Sequence, residues 1–242
     1  MSDVWIFRHG QAGTRDNYDT LSELGLRQAR LLGEYLATEG LRFKAIYAGE
    51  LHRQRETAAT VCRVFDEAGI PFPEVQTDRA WTEFDLDATF REIAPRLCQD
   101  DEVFRREYAE LQKAIQASKG DSAAPIHRKW TRCDVAMMRA WVEGRYEVNC
   151  ESWNSFRERV QSCEERLCGP DDGAPIAIFT SATPTAIWLS RILNLDTART
   201  LQLAGALYNT AITVLTRRNG SLSLLSFNAI PHLRDPELRT FR

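Results

Sequence analysis

Residues 4–12 read VWIFRHGQA. Val4, Trp5, Ile6 and Phe7 are strand formers with no charge among them, and the run stops at once on a cation, an imidazole and a glycine. A buried strand that ends this way delivers Arg8 and His9 to its carboxyl end. In open α/β sheets that end is where loops converge on a ligand, so the stretch predicts both a strand and a site.

The segments around it continue the pattern. Thr20-Leu-Ser-Glu23 has the form of a capping box, and Leu24, Gln28, Leu31, Leu32, Tyr35 and Leu36 follow at largely helical spacing until Gly40 offers a stop. Residues 45–47 give a second short strand, and residues 53–67 a second helix closed by Gly69 and Pro71. Residues 175–179, PIAIF, form another apolar strand, followed by a helical stretch over 186–193. Residues 211–215 and 222–227 flank Arg218-Asn219-Gly220, a hairpin signal. Strands alternating with helices predict an α/β domain with a mostly parallel sheet. The loops leaving three of those strands, at Arg8 and His9, at 47–53 and at 180–183, should then meet at one edge.

Residues 89–167 read differently: charged, rich in Arg and Glu, and helical in period at Phe104, Tyr108, Leu111 and Ile115 and again over 130–141. The loop SKGDSAAP, residues 118–125, separates the two pieces. This stretch is expected to be a helical insertion, a cap over the sheet's ligand-binding edge, within one domain spanning 1–242. Trp130, Trp141 and Trp153 are expected to form its core rather than a stacking platform.

With 242 residues, 43% of them apolar and 27% charged, the chain is long enough for a substantial core. A net charge of −3 argues against general attraction to nucleic acid or a membrane surface, so any anion must be held locally. No basic leader, signal-length apolar segment or run of membrane-spanning length is present, which reads as a cytoplasmic protein. The six cysteines include no CxxC pair and read as reduced thiols.

An imidazole beside a fixed cation suits a metal ligand, a general base, a nucleophile or a structural histidine, and taken alone it favours the structural reading. The wider pattern separates these. VWIFRHGQA with LSELGLRQARLLGEYL behind it, IYAGELHRQRETAATV, WTEFD, and NTAITV with SFNAIPHL near the end together resemble the histidine phosphatase superfamily, the phosphoglycerate mutase-like fold. The resemblance covers both α/β portions and implies a three-layer α/β/α architecture. It implies that His9 is a nucleophile that becomes a transient phosphohistidine, that Arg8 and Arg53 hold the phosphoryl oxygens, and that Glu83 protonates the leaving oxygen. Permanently charged planar guanidinium groups suit that task, so no metal or cofactor is called for.

Two departures stand out. The family's strand after the insertion usually ends in Ser-His-Gly, whereas this chain has Thr180-Ser181-Ala182, with Ser181 in place of a second active-site histidine. Losing one donor aimed at transition-state charge costs on the order of 10² to 10³ in rate when nothing replaces it. The chain's other histidines, His52, His127 and His232, lie in other contexts. Mutase-like members continue after Arg-His-Gly with Glu-Ser-x-Trp-Asn; here Gln11-Ala-Gly-Thr-Arg15 follows, with Arg15 in the asparagine's place. Ser181, Arg15 and Gln11 are therefore expected to join Arg8 and Arg53 on the phosphate, and Gly10 to leave room for it.

The expected activity is metal-independent hydrolysis of a phosphomonoester, on a phosphorylated small molecule or a phosphoprotein. The alternatives are a weakened or inactive member that binds a phosphorylated ligand or a partner, and, disfavoured by the absent Trp-Asn segment, a phosphosugar mutase.

Overall fold

The computed structural model describes residues 3–121, 124–164, 167, 173–218 and 221–241. Cys168 and residues 219 and 220 of the expected hairpin turn lie outside them. By contacts the chain divides into two compact units: Met1–Gly13, Tyr18–Glu83 and Arg159–Arg242 form one, Thr14–Asn17 and Phe84–Glu158 the other.

The first unit is built on a sheet whose described strands are β1 (Asp3–Arg8), β2 (Ala45–Ala48), β3 (Val75–Thr77), β4 (Ile176–Thr180), β5 (Ile212–Arg218) and β6 (Ser221–Ala229). Their order is β3-β2-β4-β1-β5-β6. The β1–β4, β2–β4 and β2–β3 pairs are parallel, and β1–β5 and β5–β6 antiparallel. This is the α/β architecture with a mostly parallel sheet expected from the sequence. β1 and β4 are neighbours in register, Arg8 opposite Thr180, so the segments leaving both strands emerge side by side.

Side chains alternate across this sheet as strand geometry requires. Phe7, Ile46, Ala177 and Phe179 face a core completed by Leu32 and Leu36 of α1 (Glu23–Thr38) and by Ala58, Val61 and Phe65 of α2 (His52–Glu67). Helix α1 starts on Ser22, whose Oγ accepts the Gly25 N–H at 3.0 Å, and not on the expected Thr20. Thr20 sits further back, its carbonyl accepting the Gly13 N–H, because the chain first makes a short bridge between Ala12 and Leu21. Gly40 and Gly69 end α1 and α2 with φ of 70° and 66°, the left-handed conformation that favours glycine.

In the second unit, α3 (Leu86–Asp100), α4 (Glu102–Ala117), α5 (Pro125–Arg128) and α6 (Arg132–Val142) lead to α7 (Trp153–Gln161). Phe84, Trp141, Trp153 and Phe156 form its aromatic core, with Phe84 and Trp141 ring centroids 4.5 Å apart. Trp130 is 47% exposed and takes no place in that core, contrary to the expectation for all three tryptophans. It lies just before α6, beyond the helical period that buries Trp141.

Among the described residues the first unit also holds the helices α8 (Ala182–Leu193) and α9 (Thr197–Ala206). Helix α8 starts directly after β4, with Ser181 at its N-cap position, and begins earlier than the expected residue 186. Pro184 in its first turn costs no hydrogen bond. The five described cysteines are free thiols. Among the described residues no helix is long and apolar enough to cross a membrane.

Candidate active site

The backbone at the end of β1 is fixed from three sides. The His9 N–H donates to the Thr180 carbonyl at 2.8 Å, and the His9 carbonyl accepts the Thr210 N–H and the Asn209 side-chain amide, both at 3.2 Å. Gly10 N–H donates to Thr57 Oγ1 at 3.1 Å, and that hydroxyl donates to the Arg53 carbonyl one helical turn back. The Arg-x-x-x-Thr spacing in α2 therefore serves one purpose: residues four apart share a helix face, so one turn of α2 presents Arg53 and also anchors Gly10.

Gly10 has a different reason from the expected one. A Cβ there would lie 2.4 Å from the Gly25 carbonyl oxygen, and a Cβ on Gly25 would lie 2.2 Å from the Gln11 carbonyl oxygen. The two glycines let the end of β1 and the first turn of α1 touch backbone to backbone. The space beside Gly10 belongs to α1, not to a phosphoryl group.

His9 is almost fully buried, and its hydrogen bonds settle its tautomer. Nδ1 lies 2.7 Å from the Gly10 carbonyl oxygen, which can only accept, so Nδ1 carries the proton. Nε2 accepts Arg53 Nε–H at 3.2 Å, so Nε2 holds the lone pair. Burial first, then the Arg53 and Arg8 cations, hold the imidazole pKa well below its ordinary value, against the opposing pull of the Gly10 carbonyl. The result is a neutral, oriented imidazole with its Nε2 lone pair beside a guanidinium.

Arg53 is itself held from outside the motifs read in the sequence. Its Nη1 donates to Asp19 Oδ1 at 3.1 Å, and its guanidinium stacks 4.9 Å from the Tyr18 ring centre. Asp19 also accepts the backbone N–H groups of His52 at 3.0 Å and Arg53 at 3.3 Å, capping α2. Arg8, buried close by, donates Nη1 to the Leu207 carbonyl and Nη2 to the Phe241 carbonyl at 2.7 Å. It adds positive charge near His9 while tying β1 to the segment before β5 and to the one after β6.

Ser181, 1% exposed, follows β4 and accepts Gln54 Nε2–H on Oγ at 2.8 Å. Two residues on, the Thr183 N–H in the first turn of α8 donates to Glu83 Oε2 at 3.1 Å. Glu83 thus rests on the positive end of a helix that starts directly after Ser181. Gln11 is anchored: its N–H donates to Gln28 Oε1 at 2.8 Å and its Oε1 accepts Ser22 Oγ–H at 2.9 Å.

Arg15 does not carry the expected role. It belongs to the second unit, where Nη1 and Nη2 donate to both oxygens of the fully buried Asp134 at 2.9 and 2.7 Å, Nε to the Ile126 carbonyl and Nη2 also to the Lys129 carbonyl. Its backbone N–H donates to His127 Nδ1 at 3.1 Å. A guanidinium so committed has no fork left for a phosphate, and the part it plays is architectural. His127 and His232 are buried structural histidines; His232 pairs with Thr210 Oγ1 at 2.9 Å and burial pushes its pKa down to about 4. His52 is exposed at the start of α2. Asp19, Tyr18, Gln54 and Thr57 were not expected at the site; of these only Thr57 lies in a recognisable motif.

The chain is similar to Serine/threonine-protein phosphatase Pgam5, mitochondrial, of Caenorhabditis elegans, 29% identical over 162 residues that make up 62% of this chain and 52% of that protein. It spans about half the length of the curated relatives it matches. In fold it is similar to Bacillus stearothermophilus YhfR, with a TM-score of 0.63 at 16% identity over 96% of this chain and 99% of that one. A mycobacterial glucosyl-3-phosphoglycerate phosphatase solved with inorganic phosphate gives a TM-score of 0.57 at 19% identity, covering 96% of this chain and 100% of the other. The sequence pattern of the family itself matches in two overlapping segments, residues 4–133 and 118–230, which between them take in β1 with His9, Arg53 and the turn that carries Ser181, and the chain belongs to the histidine phosphatase superfamily (branch 1).

Proposed function

We propose that the protein hydrolyses phosphomonoesters through a phosphohistidine on His9, with its own arginines rather than a metal ion countering the phosphoryl charge. The observation that carries this reading is the His9 geometry: a buried imidazole, neutral at physiological pH, with Nδ1–H fixed on the Gly10 carbonyl and Nε2 facing Arg53. A cation beside the lone pair of an oriented, neutral imidazole is what a nucleophile that accepts a phosphoryl group needs.

In the first step Nε2 attacks phosphorus and the ester oxygen departs with its electron pair, protonated by Glu83. A positioned acid typically contributes about 10² to 10⁴ in rate. In the second, water attacks the phosphohistidine while Glu83 accepts its proton, and phosphate leaves with the imidazole restored. Arg53 turns its donors from Nε2 to the phosphoryl oxygens; Arg8 supports the anion by its charge while its terminal nitrogens stay on the Leu207 and Phe241 carbonyls, and Gln11 supports it through its side-chain amide. Both a phosphorylated small molecule and a phosphoserine or phosphothreonine protein fit the chemistry, the latter motivated by the name of the Pgam5 relatives.

A second reading, binding without meaningful turnover, is favoured by one observation: both terminal nitrogens of Arg8 already donate to backbone carbonyls. A panel of small phosphomonoesters and phosphopeptides, assayed for free phosphate, separates the two. Hydrolysis is expected, with His9→Ala reducing it at least about 10³-fold. Phosphate binding with no phosphate released from any ester establishes the second reading instead.

A further inference from the structure

Gln54 is fully buried in the first turn of α2 and has every polar hydrogen and its carbonyl engaged. Oε1 accepts the Leu51 N–H at 3.2 Å; Nε2 donates to the Trp81 carbonyl at 3.0 Å and to Ser181 Oγ at 2.8 Å. The amide cannot be turned over, because the flipped oxygen would face the Trp81 carbonyl, an acceptor that also receives the Thr180 hydroxyl. Gly49 makes the room: a Cβ there would lie 2.1 Å from Gln54 Oε1.

This fixes the polarity of Ser181. Its Oγ is the acceptor in the bond with Gln54, so its own O–H must be directed elsewhere, and among the described residues that hydroxyl donates to none. A buried hydroxyl with an unused donor is costly unless something accepts from it. It sits at the end of β4, in the position where the family resemblance leads one to expect a phosphate-contacting histidine, with the parallel neighbour β1 delivering His9.

We propose that Gln54 is a positioning residue that presets Ser181 as a hydrogen-bond donor to a phosphoryl oxygen on or approaching His9, the pair standing in for the absent imidazole. The inference rests on the phosphomonoesterase reading for its role in turnover, but its geometry concerns binding of the phosphoryl group and is testable without turnover. A hydroxyl alone can rotate to donate or accept. One locked by a buried amide is aimed before the anion arrives, which is what oxyanion stabilisation requires.

Orthovanadate, a stand-in for the phosphoryl group in flight, serves as the probe. In a crystal structure of the wild-type chain with vanadate, Ser181 Oγ should lie within hydrogen-bond distance of a vanadate oxygen while Gln54 Nε2 keeps its contact. An Oγ out of reach overturns the proposal, as does failure of the wild type to bind vanadate. In solution, Ser181→Ala and Gln54→Met are each expected to weaken vanadate binding roughly 10- to 100-fold, the range for a charge-assisted bond. The double variant should be no weaker than Ser181→Ala alone; losses that multiply show Gln54 acting independently and overturn the proposal. If the wild type binds vanadate with this coupling but turns over no ester, only the hydrolase reading falls.

Discussion

At the residue scale the site is a set of side chains whose hydrogen bonds leave little freedom. His9 has one tautomer, Gln54 one orientation, and Arg53 is gripped between Tyr18 and Asp19. Asp19 does two jobs, capping α2 and holding Arg53, and two substitutions separate them. Asp19→Asn keeps an acceptor for the cap; Asp19→Ala loses it and should cost about 1 kcal/mol of stability. Both remove the charge that fixes Nη1, so both should lower kcat/KM by on the order of tenfold through loss of orientation. Thermal melts beside steady-state kinetics check this, and an Asp19→Asn enzyme with wild-type kcat/KM would show that Arg53 needs no such anchor. The placement of His9 after β1, Arg53 in the first turn of α2 and Ser181 after β4 was legible in the sequence because motif spacing marks those positions. Asp19 and Gln54 were not, because each acts through another residue and nothing in its local sequence shows that partner. Arg15 was misread for the same reason: the Asp134 that claims it lies more than a hundred residues away.

At the element scale the main strands and both flanking helices of the first unit followed from apolar runs and stop signals. β3 did not, since Val75-Gln-Thr77 is three residues long, at the sheet edge, with its last two side chains exposed and no alternation to read. Gly10 was identified as a special position but for the wrong neighbour, because close approach of two backbones has no signature in either segment alone. The contrast between two glycines tests the corrected reason. In Gly25→Ala the new Cβ meets the Gln11 carbonyl, and neither backbone can yield without moving His9, so a loss of about 2 kcal/mol or more is expected together with loss of activity. In Gly40→Ala nothing lies within 4 Å, and only the φ of 70° opposes the change, at about 1 kcal/mol with activity intact. Urea unfolding measures both; equal effects would contradict the backbone contact.

At the scale of the whole molecule two buried histidines link folding to pH. His9 and His232 are neutral in the fold, with pKa values lowered, His232 to about 4 from an ordinary 6.5. Below pH 6.5 the unfolded chain takes up protons that the folded chain refuses. Their contribution is therefore complete above pH 6.5 and lost as pH falls, over 6.5 to about 4 for His232, amounting to about 3 kcal/mol for that residue. Unfolding free energies at pH 7 and pH 4.5 should show a steep fall in the wild type and a shallower one in His232→Gln; parallel slopes would rule out the linkage. The most direct test of the central claim concerns His9 itself. Rapid acid-free quenching during turnover of a phosphorus-labelled monoester, followed by peptide mapping and ³¹P NMR, should find an acid-labile phosphoryl group on His9 attached through Nε2. Turnover with no such adduct, or an adduct on Nδ1 or on another residue, would contradict the assignment of Nε2 as the nucleophile.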